Sequence, residues 1–146
     1  MLESSAFPPE FLEHLGFLMN KVAEQLNRQV EGVIAPHQLT VAQYGLLLLL
    51  QTRGPQAQIV LSQQVGLDRT AVMRTVDLLE SRGLVRRDAD AIDRRKNSVA
   101  LTDAGTELLT QTLPDVRQAE QAVTARLSSH EQGLLMALLR RLLSSP

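Results

Sequence analysis

Two short helices, separated by only a few residues, are predicted in the middle of the chain. The first carries apolar residues at helical spacing and ends at Gly66. Asp68 can cap the second, because its carboxylate can accept a hydrogen bond from the backbone of the first turn. The apolar residues that support the first helix are Ile59, Leu61 and Val65. In the second helix, Val72, Val76 and Leu79 fall at i, i+4 and i+7 and are expected to point inward.

A basic hairpin is predicted directly after this helix pair. Gly83 ends the second helix, Leu84–Arg87 is predicted as a strand, and Asn97–Leu101 is predicted as its partner. Residues 68–96 contain eight basic and six acidic residues, whereas the whole chain has a net charge of −1. Three adjacent cations lie at the tip of the hairpin, Arg94, Arg95 and Lys96. A local basic patch on a nearly neutral protein suits one anionic partner surface.

This order of elements matches a helix-turn-helix with a wing, in which the second helix enters the major groove of DNA. On this interpretation Arg69, Thr70, Met73 and Arg74 are candidate base or phosphate contacts. The wing tip supplies cations to the backbone and minor groove, since a duplex carries one negative charge about every 1.7 Å of axis. Each exposed charge alone is also consistent with a solvated face, but the combination favours double-stranded DNA as the partner.

Residues 61–105, LSQQVGLDRTAVMRTVDLLESRGLVRRDADAIDRRKNSVALTDAG, resemble the winged-helix core of the multiple antibiotic resistance regulator (MarR) family of bacterial transcription factors. The most specific part is Asp93-Arg94-Arg95, followed after a few residues by Leu101-Thr102. The resemblance implies that one arginine of the pair enters the minor groove and that Asp93 orients it. The choice between Arg94 and Arg95 stays open.

The sequence departs from the family pattern at three positions. Ala89 and Ala91 stand where prolines are usual in the wing, and Met73 stands where a small polar residue is common. The two alanines affect how rigid the wing is, and Met73 affects which bases the protein reads.

Two helices are predicted before this core. Apolar residues at spacings of three and four predict a long helix from about Pro9 to Val33, which Pro36 ends. Thr40 is a candidate N-cap for a helix through the five leucines 46–50, which is apolar all round and is therefore expected to be buried centrally.

Two further helices are predicted after the core. Thr102 caps a long helix that Pro114 is expected to kink, and Ser128–Glu131 has the pattern of a capping box that begins a last, leucine-rich helix. The predicted order is ααααββαα, a mainly α fold with a small β-hairpin. We expect residues 1–146 to form a single MarR-like domain, with a winged helix-turn-helix DNA-binding lobe at 40–101 and dimerisation helices at 1–35 and 102–146.

The leucines of the last helix are too many for a small winged core to cover. They are Leu134, Leu135, Leu138, Leu139, Leu142 and Leu143. Exposed apolar patches of that size usually mark an interface, so we expect a homodimer. The resemblance implies a repressor whose terminal helices interlock and carry two lobes to successive major grooves, about 34 Å apart on a pseudo-palindromic operator.

The resemblance also implies a small aromatic effector. Family members commonly release DNA when phenolic or other aromatic compounds bind between the dimer helices and the winged lobe. The polar or aromatic groups that could line such a crevice are His14, His37, Tyr44 and Arg53. That these residues only pack or face water is the alternative that the sequence leaves open.

Composition excludes several other functions. The absence of cysteine excludes disulfides and thiolate metal sites. The three histidines lie far apart, and nothing assembles a nucleophile, a base and an orienting group, so no enzyme, metal or cofactor is expected. The apolar stretches are amphipathic or too short for a bilayer, which predicts a cytoplasmic protein without membrane contact. A winged-helix module that binds a protein instead of DNA is the alternative function.

Overall fold

The computed structural model describes residues 7–89 and 97–144, which are mainly helical with a small antiparallel sheet. The elements are α1 (Leu15–Ile34), α2 (Val41–Arg53), β1 (Gln56–Ala57), α3 (Gln58–Val65), α4 (Arg69–Ser81), β2 (Val85–Ala89), β3 (Asn97–Leu101), α5 (Asp103–Thr124) and α6 (Ser129–Leu143). Short 3-10 helices at Pro9–Glu13 and Ala35–His37 flank α1. The predicted fold class is confirmed, with β1 as an addition.

The chain divides into two compact units. One consists of the residues up to Val30 and those from Arg117 onwards, and the other consists of Glu31–Val116. In the first unit only Val30 and Ala119 are buried among the described residues. Nearly all of the buried apolar residues lie in the second unit, which therefore has its own apolar core.

The core of the second unit is built where α2, α3, α4 and the sheet meet. Its largest fully buried apolar side chains are Ile34, Leu46, Leu47, Leu61, Leu79, Val72, Val76, Val85 and Val99. The leucine run of α2 is less buried than predicted, since Leu48 is exposed and Leu49 is half-buried. The inward face of α4 is confirmed, whereas Ile59 of α3 is exposed.

The N-termini of α2 and α6 are capped as the sequence predicts. Thr40 accepts a hydrogen bond from the backbone N–H of Gln43 at 3.2 Å, and the Gln43 side chain accepts one from the backbone N–H of Thr40 at 3.1 Å. Ser128 and Glu131 form the same reciprocal pair at the start of α6. Such caps satisfy backbone donors that a helix leaves without partners.

The sheet has the strand order β1-β3-β2, and both pairs are antiparallel. Val85 lies opposite Leu101 and Ala89 lies opposite Asn97, so β2 and β3 form the predicted hairpin, although β2 begins one residue later than predicted. Strand β1 follows Gly54, whose φ of +76° lets the chain turn after α2. The sequence analysis missed β1, which is only two residues long.

Two helix boundaries differ from the prediction. The helix expected from Pro9 begins at Leu15, because His14 has an extended backbone that separates it from the 3-10 helix before it. At the other end, α1 stops at Ile34 and Pro36 lies in the next 3-10 helix. Helix α5 continues through Pro114, and the kink expected there stays a prediction.

The start of α5 is held against the turn between α4 and β2. The Thr102 hydroxyl donates to the carbonyl oxygen of Gly83 at 2.5 Å and accepts from the backbone N–H of Gly105 at 3.2 Å. The Thr102 backbone N–H donates to the Leu84 carbonyl oxygen at 3.2 Å. A Cβ atom on Gly105 would lie 2.2 Å from that same oxygen, so only glycine fits there.

No single helix in the described part of the chain is both long enough and apolar enough to cross a membrane. Within residues 7–89 and 97–144, one bent pair has the length and apolar composition of a membrane span, namely Leu15–His37 followed by Val41–Arg53, and the bend between its two parts is 82°.

Candidate nucleic-acid interface

Helix α4 presents the predicted DNA-contacting residues on one exposed face. Asp68 accepts a hydrogen bond from the backbone N–H of Ala71 at 2.7 Å, which fixes where the helix begins. Its buried valine and leucine side chains fix the rotation of the helix about its axis. The residues thereby left exposed in its first two turns are Arg69, Thr70, Met73 and Arg74.

A shallow depression lies between the N-terminal turns of α3 and α4. It has a volume of about 280 Å³ and is lined by Gln58, Ile59, Arg69, Thr70 and Met73. Gln58 is half-buried and the other four residues are exposed, so the depression is part of the outer face of the lobe. Sequence reasoning missed Gln58 and Ile59, because helical spacing does not reveal which residues of one helix lie beside the next.

Arg87 of β2 joins the hairpin to the C-terminal half of α4. Its guanidinium donates to Asp77 at 2.5 Å and also to Glu80, and its backbone N–H donates to Glu80 at 3.1 Å. Burial lowers the pKa of Arg87, but the hydrogen bonds to Asp77 and Glu80 outweigh it and raise the pKa above its ordinary value. Arg87 is therefore always charged, and we call these three residues the Arg87 clamp.

Two other arginines of the predicted basic patch also bind within the second unit. Arg82 donates to the carbonyl oxygens of His37 at 2.8 Å and Gln38 at 2.6 Å. Arg86 donates to Asp88 at 3.0 Å and, across the hairpin, to the Leu101 carbonyl oxygen at 3.0 Å. These partners were not anticipated, although the i, i+2 spacing of Arg86 and Asp88 on one strand face was a usable signal.

The pairing of these arginines determines where free positive charge remains. Within the described residues, Arg69 and Arg74 have no ion-pair partner, whereas Arg86 has one and Arg87 has two. Arg82 also lacks an ion-pair partner among these residues, but its guanidinium is held by two carbonyl oxygens, which leaves Arg69 and Arg74 as the cations of the outer face of α4. An arginine paired with an internal carboxylate attracts an external anion only weakly. The attraction for an anion that the described residues provide therefore comes mainly from α4.

The wing tip lies outside the described residues. Asp93, Arg94, Arg95 and Lys96 belong to the segment 90–96, and their predicted role rests on the sequence alone.

The four predicted effector residues lie in different parts of the chain. His14 follows the first 3-10 helix, in the first unit, and is exposed. In the second unit, His37 is half-buried, Arg53 is exposed at the end of α2, and Tyr44 is buried in α2 with 6% of its surface exposed. Their role as contacts for an aromatic effector stays a prediction.

Helices α3 and α4, the turn between them and the β2–β3 hairpin define a winged helix-turn-helix protein. The chain belongs to the MarR family, whose model matches residues 39–96. The HTH-type transcriptional repressor NicR of Pseudomonas putida is 30% identical to this chain over 94% of it and 87% of the relative. The family resemblance noted in the sequence is thereby confirmed, and it places the chain among DNA-binding transcriptional regulators.

Two solved structures have the same fold. The transcriptional repressor CouR bound to a 23-mer DNA duplex has a TM-score of 0.85 and 28% identity, and the alignment covers 93% of this chain and 96% of that one. BpsR of Bordetella bronchiseptica, whose DNA binding is regulated by 6-hydroxynicotinic acid, has a TM-score of 0.83 and 26% identity. That alignment covers 96% of this chain and 100% of BpsR.

Proposed function

We propose that this protein is a cytoplasmic transcriptional repressor that binds a specific double-stranded DNA operator as a homodimer. The observation that carries the proposal is the outer face of α4, where Arg69 and Arg74 are exposed and have no ion-pair partner among the described residues. Arginine at the N-terminal end of a recognition helix can hold a guanine edge or a phosphate. The DNA-bound structure of CouR, which shares the fold, supports the same role.

The homodimer is supported by the surface of α6. This helix of fifteen residues buries no side chain within the chain, although it carries six leucines. Leu134 and Leu142 are 51% and 67% exposed. Each fully buried leucine contributes roughly 1.5–3 kcal/mol, so an uncovered row of them favours association with a second copy.

A twofold dimer carries its two lobes in symmetry-related positions. Two recognition helices then meet half-sites of opposite direction, which suits a pseudo-palindrome with half-sites about one helical turn apart. The wing cations Arg94, Arg95 and Lys96 are proposed to hold the backbone or minor groove beside each half-site, with Asp93 orienting one of the arginines.

Selection of bound fragments from the genome of the source organism tests this proposal. We expect enrichment of one inverted-repeat site, and binding to that site and to a random duplex should weaken steeply as salt increases. Absence of binding to any duplex at low salt would contradict the proposal and favour a winged-helix module that binds a protein.

A small aromatic effector is proposed as the signal that releases DNA. The regulation of BpsR by 6-hydroxynicotinic acid supports this for a protein of the same fold. His14, His37, Tyr44 and Arg53 are the proposed ligand contacts. A ligand acts only if it binds one arrangement of the lobes better than the other. A panel of aromatic acids should therefore contain a compound that both raises the melting temperature and weakens operator binding, and a panel without effect would count against an effector.

A further inference from the structure

Two large apolar side chains are exposed on the face of the lobe that is proposed to meet DNA. Ile59 of α3 is 47% exposed and Met73 of α4 is 50% exposed, and both line the depression between the two helices. The other residues that line it, Gln58, Arg69 and Thr70, are polar. An apolar pair inside a polar surface gains stability when an apolar group of a partner covers it.

Only one apolar group is available on the base edges of the major groove. Each base pair presents hydrogen-bond donors and acceptors there, and thymine adds its C5-methyl group. The Met73 side chain cannot donate a hydrogen bond, and the Ile59 side chain can neither donate nor accept one. Met73 is also flexible enough to follow a small irregular group. A base without a methyl group would leave the two side chains against polar edges.

We infer that Ile59 and Met73 form a contact for the C5-methyl group of a thymine in each operator half-site. This inference rests on the proposed function, since it names one base that the proposed recognition helix reads. The depression joins α3 to the reading surface, so base choice is set by both helices and not by α4 alone. Gln58 also lines the depression. Its side-chain amide is of the type that recognises adenine, the base that pairs with thymine.

Replacement of single thymines by deoxyuridine in the selected operator tests the inference. This change removes the methyl group and leaves base pairing intact. At one position in each half-site the parent protein should bind about fourfold more weakly, which corresponds to about 0.8 kcal/mol for one methyl-sized group removed from an apolar contact. At the other thymines the substitution should have little effect.

Met73→Ala should remove most of this discrimination. The variant should bind the thymine operator several-fold more weakly than the parent and should bind the uracil operator almost as well as the thymine one. Ile59→Ala should act in the same direction. Leu78→Ala is the matched control, because Leu78 is an equally exposed apolar residue of α4, at 54%, that does not line the depression. It should keep the full preference for thymine.

Two results separate this inference from the proposed function. If the parent binds the operator but no uracil substitution weakens binding, the methyl contact is wrong and the DNA-binding function stands. If Met73→Ala and Ile59→Ala lose as much operator affinity on uracil substitution as the parent does, the methyl group is read elsewhere and the inference fails. Unchanged melting temperatures would show that both variants are folded. Absence of operator binding by the parent would instead overturn the proposed function.

Discussion

Among the described glycines of the second unit, Gly105 leaves the least room for a side chain. Gly105→Ala should lower the free energy of unfolding by about 1–3 kcal/mol or more, because the new Cβ would overlap the Leu84 carbonyl oxygen. Gly45→Ala is the matched control, since a Cβ there meets nothing within 4 Å. Gly45→Ala should raise the free energy of unfolding by about 0.5–1 kcal/mol, because alanine loses less backbone entropy than glycine on folding. Urea unfolding of both variants measures the difference, and equal stability would contradict the close approach.

Arg74 and the wing cations should differ in what they contribute to binding. Arg74→Ala should cost about 1–3 kcal/mol on the preferred operator, if Arg74 holds a guanine edge, and much less on a random duplex. Arg94→Ala, Arg95→Ala and Lys96→Ala should weaken binding to both duplexes alike and flatten the salt dependence. Titrations at several salt concentrations distinguish the two classes. Wing variants that bind both duplexes as tightly as the parent would reduce the wing to a solubilising loop.

At the scale of elements, the Arg87 clamp couples the recognition helix to the wing strand. Arg87→Ala should destabilise the protein by about 1 kcal/mol, less than is usual for charged hydrogen bonds, because Glu80 and Asp77 are partly solvated. In a double-mutant cycle with Glu80→Gln, the Arg87–Glu80 pair should show a coupling energy of at least about 0.5 kcal/mol. Thermal or urea unfolding of the four proteins gives this value. Additive effects of the two substitutions would show that the Arg87–Glu80 pair does not stabilise the protein.

The capping box of α6 should make that helix sensitive to acid. Hydrogen bonds from the backbone N–H and the hydroxyl of Ser128 lower the pKa of Glu131 below its ordinary value of 4.5. A lowered pKa in the folded state gives stability that is present above about pH 4.5 and is lost as the pH falls through the lowered pKa. Glu131→Gln should therefore lose less stability on acidification than the parent. Melting temperatures measured from neutral to acidic pH test this, and parallel curves would refute it.

The elements themselves were largely predictable, because their signals are local. Caps such as Thr40 and Asp68 and the apolar spacing of α4 are enough to predict these helices from the sequence. Strand β1 was not predictable, since two residues show no alternation and their pairing with β3 bridges more than forty positions. The internal partners of Arg82 and Arg87 could not be predicted from the sequence either. In sequence alone, both arginines resemble free cations of a basic patch, and only tertiary packing brings carbonyl or carboxylate oxygens to them.

For the whole molecule, the proposed dimer should depend on the exposed leucines of α6. Leu138→Glu places a charge where an apolar contact is proposed, so the variant should sediment as a monomer at micromolar concentration and should lose operator binding. Ser129→Glu is the control, because a carboxylate in the first turn of a helix is favourable there and Ser129 lies outside the leucine row. Its dimer should be intact. A parent protein that sediments as a monomer would overturn the dimer itself.

The internal ion pairing of Arg86 and Arg87 also affects how a repressor of this kind would search a chromosome. Arginines paired with internal carboxylates release few counterions from DNA, so contacts with unrelated sequence should be brief. The search then proceeds by frequent dissociation and renewed encounter more than by long sliding. A smaller fraction of the cellular pool is held on decoy sites, so fewer copies of the protein keep an operator occupied.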